Sequence, residues 1–199
     1  MDQDVVIAAK SFAVNQLSSN LHPKISFHDL QHTQTVVSVS TDLAKAEGVS
    51  ENDISILQVA AWFHDLGYPI KVEGHEKIGA EMVREFLSGQ NVNSEEIKKV
   101  EGLIESTEIS KKPQNLLEEI IRDADMAHLG MSNAKERSLK LREEREAMLS
   151  LSYSDKEWLK INYDFYKDHR YNTRTAREKY GHKKDAYLEW MRKRLNPNQ

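Results

Sequence analysis

The chain has 199 residues, enough for one domain with a sizeable core, and its 39% hydrophobic and 30% charged residues give the balance of a folded soluble protein. A formal net charge of -4 gives no overall reason to expect nucleic acid or an anionic membrane surface, and the lack of cysteine excludes disulfides and thiolate metal sites. Acids rather than Lys or Arg follow Met1, and no apolar run approaches the roughly 18 residues that cross a bilayer, so the chain reads as cytoplasmic.

Gly (8) and Pro (4) are few, no stretch alternates as a strand should, and helix punctuation is abundant. Asp29 predicts a cap for a helix through Val36, Val37, Leu43 and Ala44. Ser50-Glu51-Asn52-Asp53 resembles a capping box ahead of the most apolar run, Ile54 to Phe63, which is expected to continue through His64-Asp65 and end near Gly67. Glu76 to Leu87, after Gly74, is amphipathic, and Asn93 opens a helix to about Glu105 with Ile97, Val100, Leu103 and Ile104 on one stripe. Leu116, Leu117, Ile120, Ile121, Ala124 and Leu129 form another stripe, closed by Gly130.

The last third is more polar. Ala134 to Met148 has a thin apolar seam and many charges, which predicts a surface helix. Asp155 to His169 carries Trp158, Phe165 and Tyr166, expected in the core, and Thr173 to Leu195 continues the helical pattern. Arg170, Arg174, Arg177, Lys183 and Lys184 read as a solvated basic face, and His22, His128, His169 and His182 as structural or exposed. With no repeat or linker, the expectation is an all-α fold and a single domain over residues 1–199.

Within this framework the polar residues at the end of the apolar run stand out. An unpaired carboxylate there costs several kcal/mol, on the order of the desolvation of an isolated charge, so Asp65 needs a compensating partner. In isolation a satisfied buried pair with His64 is the plainer reading. Yet His28 and His32, four residues apart, and Asp123 and Asp125 in a third apolar helix extend the set. Two imidazoles and two carboxylates suit a divalent cation: Mn, Fe, Co, Ni, Zn or Mg.

The motifs themselves resemble a known family. Phe27-His28-Asp29-Leu30-Gln31-His32-Thr33, Ala61-Trp62-Phe63-His64-Asp65-Leu66-Gly67-Tyr68, Gly74-His75-Glu76 and Ile121-Arg122-Asp123-Ala124-Asp125-Met126 are similar, in order, to the motifs of the HD superfamily of metal-dependent phosphohydrolases. They span about residues 27–130, leaving a helical extension over about 131–199. Asn162 to Thr173 also resembles a stretch found in one branch of HD hydrolases, here of the stand-alone kind.

The resemblance implies metal ligands His32, His64, Asp65 and Asp125, with Asp125 preferred to Asp123 because the ligand usually follows Ala. It implies hydrolysis of a nucleotide or another small phosphoester, monoester or diester, by metal-activated water. Asp65 is then both ligand and catalytic residue. In related cyclic-nucleotide phosphodiesterases the residue at the position of His28 is the general acid, a task that histidine's ordinary pKa of about 6.5 suits; capping or packing is the alternative. Two-metal members supply further histidines, whereas Val100 to Pro113 has none. One metal is therefore expected, with His75 either supporting the metal ligands or contacting the substrate phosphate, a place near a helix start being its plainer reading, and Lys111 or Lys112 holding the substrate's anionic group at the mouth of the site. The competing reading is a metal-loaded module that senses a nucleotide without hydrolysing it. A nucleic acid bound by the basic C-terminal helix is disfavoured by the net charge.

Overall fold

The computed structural model describes residues 1–19 and 22–196. Among these residues there are nine α-helices and no strand, and the all-α expectation is met. The helices are α1 (Gln3–Ser19), α2 (Leu30–Ala46), α3 (Glu51–Phe63), α4 (His75–Ser88), α5 (Ser94–Ser106), α6 (Leu116–Asp125), α7 (Ala134–Leu149), α8 (Asp155–Asp168) and α9 (Arg174–Leu195). A 3₁₀ helix, Met126–Gly130, follows α6 directly. No described helix is long and apolar enough to cross a membrane.

Caps set most helix starts. The side chains of Asp29, Ser50, Asn93, Asn115, Ser154 and Thr173 each accept a backbone N–H from the first turn of α2, α3, α5, α6, α8 and α9, satisfying donors that have no partner inside the helix. α1 is a helix beyond those expected from the sequence. Its stripe of Val5, Val6, Ala9, Ala13 and Leu17 is buried against α3.

α3 is the hub, packing against α1, α2, α4, α5 and α6. Nearly every residue from Ile54 to Phe63 is buried, which is why this run is apolar on all sides instead of along one stripe. Phe63 is fully buried, stacked on Phe12 at 5.3 Å with Phe86 also at 5.3 Å.

Three sequence expectations need correction. α3 stops at Phe63, so His64 and Asp65 lie in the turn that follows it. Gly67 makes this turn possible: a Cβ there would sit 2.2 Å from the His75 carbonyl oxygen. Second, α7 is not simply a surface helix, because Arg137 and Glu144 are buried. Third, Lys184 is buried instead of solvated, donating to the His169 carbonyl at 2.5 Å.

Truncating Phe63 removes the ring that joins α1, α3 and α4, and a cavity of that kind costs about 3–5 kcal/mol. Urea unfolding of Phe63→Ala is expected to show a loss of that size. A change below about 1 kcal/mol contradicts the packing described.

Candidate metal centre

Three helix ends meet at one point. α2 brings His32 from its first turn, the turn after α3 brings His64 and Asp65, and α6 brings Asp125 as its last residue. Ligand atoms of His32, His64 and Asp125 all lie within 4.8 Å of one another. His32 Nε2 is 3.1 Å from Asp125 Oδ1 and 3.2 Å from Asp65 Oδ2, and His64 Nε2 is 2.9 Å from Asp65 Oδ2. The two Nε2 atoms are 3.4 Å apart.

The ring orientation is set from behind. His64 donates Nδ1–H to the Ala61 carbonyl at 2.8 Å, leaving Nε2 with a lone pair when the ring is neutral. Asp65 Oδ2 is buried and close to both imidazoles, yet aligned in a hydrogen bond with neither. Such an orphaned buried carboxylate oxygen is costly. The converging donor set is two imidazole nitrogens and one Asp125 oxygen, with Asp65 Oδ2 beside both imidazoles, and this nitrogen and oxygen chemistry fits a divalent cation.

The electrostatics agree. Burial opposes charge on His32, but Asp125 and Asp65 outweigh it and raise the ring to about 9. His64 is also raised against burial, chiefly by Asp65. The same imidazoles hold Asp65 well below the usual carboxylate range, and Asp125 below it, although burial pushes both upward. The carboxylates thus retain protons on the imidazoles that a cation would displace.

Asp123 has another task. Its Oδ1 accepts from the Asn172 backbone at 2.7 Å and side chain at 2.9 Å, and its Oδ2 from the Thr173 backbone at 2.7 Å and hydroxyl at 2.8 Å. It fastens the start of α9 to α6 and is turned away from the imidazoles. Burial nevertheless raises its pKa.

His28 precedes α2, so it does not share a helical face with His32 as the four-residue spacing implied. Its ring still lies 5.9 Å from that of His32 and 6.1 Å from that of His75, stacked on Tyr68 at 3.8 Å. His75 donates Nδ1–H to the Val72 carbonyl at 2.8 Å, and its Nε2 is 3.4 Å from Asp65 Oδ1. Burial alone would lower His75, but Asp65 raises it to about 9. His128, beside His32, is pushed down to about 4 by burial and by that ring.

A cavity of about 370 Å³ opens beside Asp125. Lys111 and Lys112 line it, as do Arg122, Phe165, His169 and Arg170, which the sequence reading did not assign to the site. Arg122 shapes the rim by donating to the carbonyls of Ser106 and Glu108. Its charge next to the Asp125 motif was the available signal; nothing in the order of residues places Phe165 or Arg170 there.

The comparisons settle the family. The HD domain model matches residues 29–130, half of the chain. The chain belongs to the HD domain family. This places it in a superfamily of metal-dependent phosphohydrolases. No curated protein matches it closely. The HD chain is similar in fold to a protein from Lactobacillus plantarum, with a TM-score of 0.72 and 18% identity over 96% of this chain and 95% of that one. A predicted HD superfamily hydrolase from an uncultured Thermotogales bacterium gives 0.64 and 18%, over 96% and 91%. Bacillus subtilis YpgQ, solved in complex with ADP, gives 0.65 and 18%, over 98% and 95%.

The two aspartates of the HD chain are expected to respond in opposite ways. Asp123→Ala strands backbone donors and should lower stability by at least about 1–3 kcal/mol. Asp125→Ala should cost less metal-free stability than Asp123→Ala while abolishing saturable Mn binding in calorimetry. The reverse pattern would exchange their roles.

His169, in the cavity wall, is lowered to about 3 by burial and then by Lys184. Its folded pKa lies below the unfolded value of about 6.5, so the unfolded chain binds the extra proton and stability falls as pH drops from about 6.5 towards 3. His169→Gln should therefore lose less stability than the parent between pH 7 and 4.5 in urea titrations; equal losses refute the assignment.

Proposed function

We propose that this protein is a metal-dependent phosphohydrolase that cleaves a phosphoester in a nucleotide or similar small metabolite. The observation that carries the reading is the convergence of His32, His64 and Asp125 within 4.8 Å, beside the buried Oδ2 of Asp65, which lies close to both imidazoles without an aligned hydrogen bond. These four residues would hold one divalent cation, which supplies activation of water and neutralisation of charge on the phosphoryl oxygens.

The chain's own residues account for the rest. His28 stands next to the ligand cluster with its Nε2 unbonded to any described residue, free to meet a leaving oxygen. The water oxygen forms a bond to phosphorus as the phosphorus–oxygen bond to the leaving group breaks. His28 passes its proton to the leaving oxygen, and the proton released by the water restores the ring. Asp65 links the cluster to His75 through its second oxygen, fixing both.

Lys111, Lys112 and Arg170 surround the cavity next to Asp125, a setting that attracts a phosphate chain. Phe165 in the same wall offers an apolar face to a base or sugar. The ADP held by YpgQ, a protein of similar fold, supports a nucleotide as substrate.

A panel of nucleotides and simple phosphoesters with Mn, Mg, Co or Ni tests this directly. Turnover should vanish in His64→Ala and fall on the order of 100-fold or more in His28→Ala. Paired replacement of Lys111 and Lys112 by Ala should raise KM several-fold with little change in kcat. Unchanged nucleotide recovered from every metal and substrate combination would overturn the reading.

A further inference from the structure

The proton donor assigned to His28 needs a defined tautomer and orientation, and its support comes from outside the HD-matched segment. Glu144, on α7, is fully buried. Its Oε1 is hydrogen-bonded to His28 Nδ1. Its Oε2 accepts three backbone N–H groups in succession, from Ser26 at 3.0 Å, Phe27 at 2.8 Å and His28 at 3.0 Å.

The same face of α7 grips this loop at two more points. Arg137 donates to the Phe27 carbonyl, lies over the Phe27 ring at 4.3 Å and reaches within 3.5 Å of Asp29 Oδ2. The Lys140 carbonyl accepts the Ser26 hydroxyl at 2.9 Å. Positions 137, 140 and 144 recur at helical spacing, so one stripe of α7 holds residues 26–29. A fully buried carboxylate that served only to close the loop would need only the backbone donors. The added bond to a ring that stands in the site is what marks Glu144.

We propose that Glu144 is the positioning residue for His28: it fixes the ring in the Nδ1–H form, with Nε2 directed to the leaving oxygen, and stabilises the ring while it carries its second proton. The inference rests on the reading of His28 as proton donor. Glu144 keeps its negative charge throughout; the only proton that moves is the one on Nε2. Tyr68, stacked on the other face of the ring, limits rotation about the Glu144 bond.

Glu144→Gln separates this role from loop closure. The amide oxygen can still accept the three backbone donors, but its NH₂ then faces His28 Nδ1 and forces the proton to Nε2. Nitrogen-edited NMR of the histidine rings in the full chain, assigned by the signal lost in His28→Ala, reads the tautomer directly. The parent should show Nδ1–H and Glu144→Gln should show Nε2–H.

In turnover, Glu144→Gln should lower kcat on the order of 100-fold with KM and metal affinity changed less than about twofold. Glu144→Asp, which keeps the charge, should recover part of the loss. In a His28→Ala background Glu144→Gln should have no further effect. An unchanged tautomer, or an equal loss of kcat in that background, overturns the proposal. If the parent hydrolyses no phosphoester, the functional reading fails while the tautomer measurement still decides the role of Glu144.

Discussion

The structure turns on one costly placement: two imidazoles and two carboxylates gathered largely out of water at the end of its most apolar helix. Asp65 and Asp125 approach the same two imidazoles, and Asp65 keeps an oxygen with no hydrogen bond inside a protein core. Packing alone would select against that arrangement. It persists because α3 is anchored on several sides by other helices, so that the turn behind Phe63 has little freedom to move the carboxylate to water. The stability held in the core tolerates the burial of these charges, which their mutual attraction offsets.

The HD match ends at residue 130, but the site does not. The C-terminal helices act on it through two buried carboxylates with similar bonding and different consequences. Asp123 collects four donors from Asn172 and Thr173, which locks α9 to the helix that carries Asp125. Glu144 collects three donors from the loop that carries His28 and spends its remaining oxygen on the ring. One carboxylate secures the helix that carries Asp125 and the other holds the loop and ring of His28. The extension also completes the cavity, since Phe165, His169 and Arg170 come from the end of α8 and the segment behind it.

The helices and the candidate cluster of His32, His64 and Asp125 were largely legible in the residue order, because both leave local marks. Caps such as Asp29, Ser50 and Asn93 are decided within three residues. The Phe-His-Asp, His-Asp and Ala-Asp-Met segments carry the family resemblance by themselves. What stayed hidden depends on long-range partners. Glu144 looks like one more charge in a polar helix until Ser26, Phe27 and His28 are laid against it, more than a hundred residues away in sequence. Lys184 sits in a basic run and is buried only because the His169 carbonyl and the Tyr171 ring lie over it. α1 was legible in principle from its Val5, Val6, Ala9, Ala13 and Leu17 spacing, but small residues make a weak stripe. The end of α3 before His64 goes with a long-range contact: α4 packs so close to the turn after it that position 67 has no room for a side chain.

The central claim is that the orphaned Asp65 oxygen and its neighbours exist to hold a cation. Crystals grown with Mn and measured at its absorption edge test that claim most directly. The account predicts one strong anomalous peak bounded by His32, His64, Asp65 and Asp125, lost in Asp65→Ala. An absent peak, or one coordinated by other residues, would contradict it.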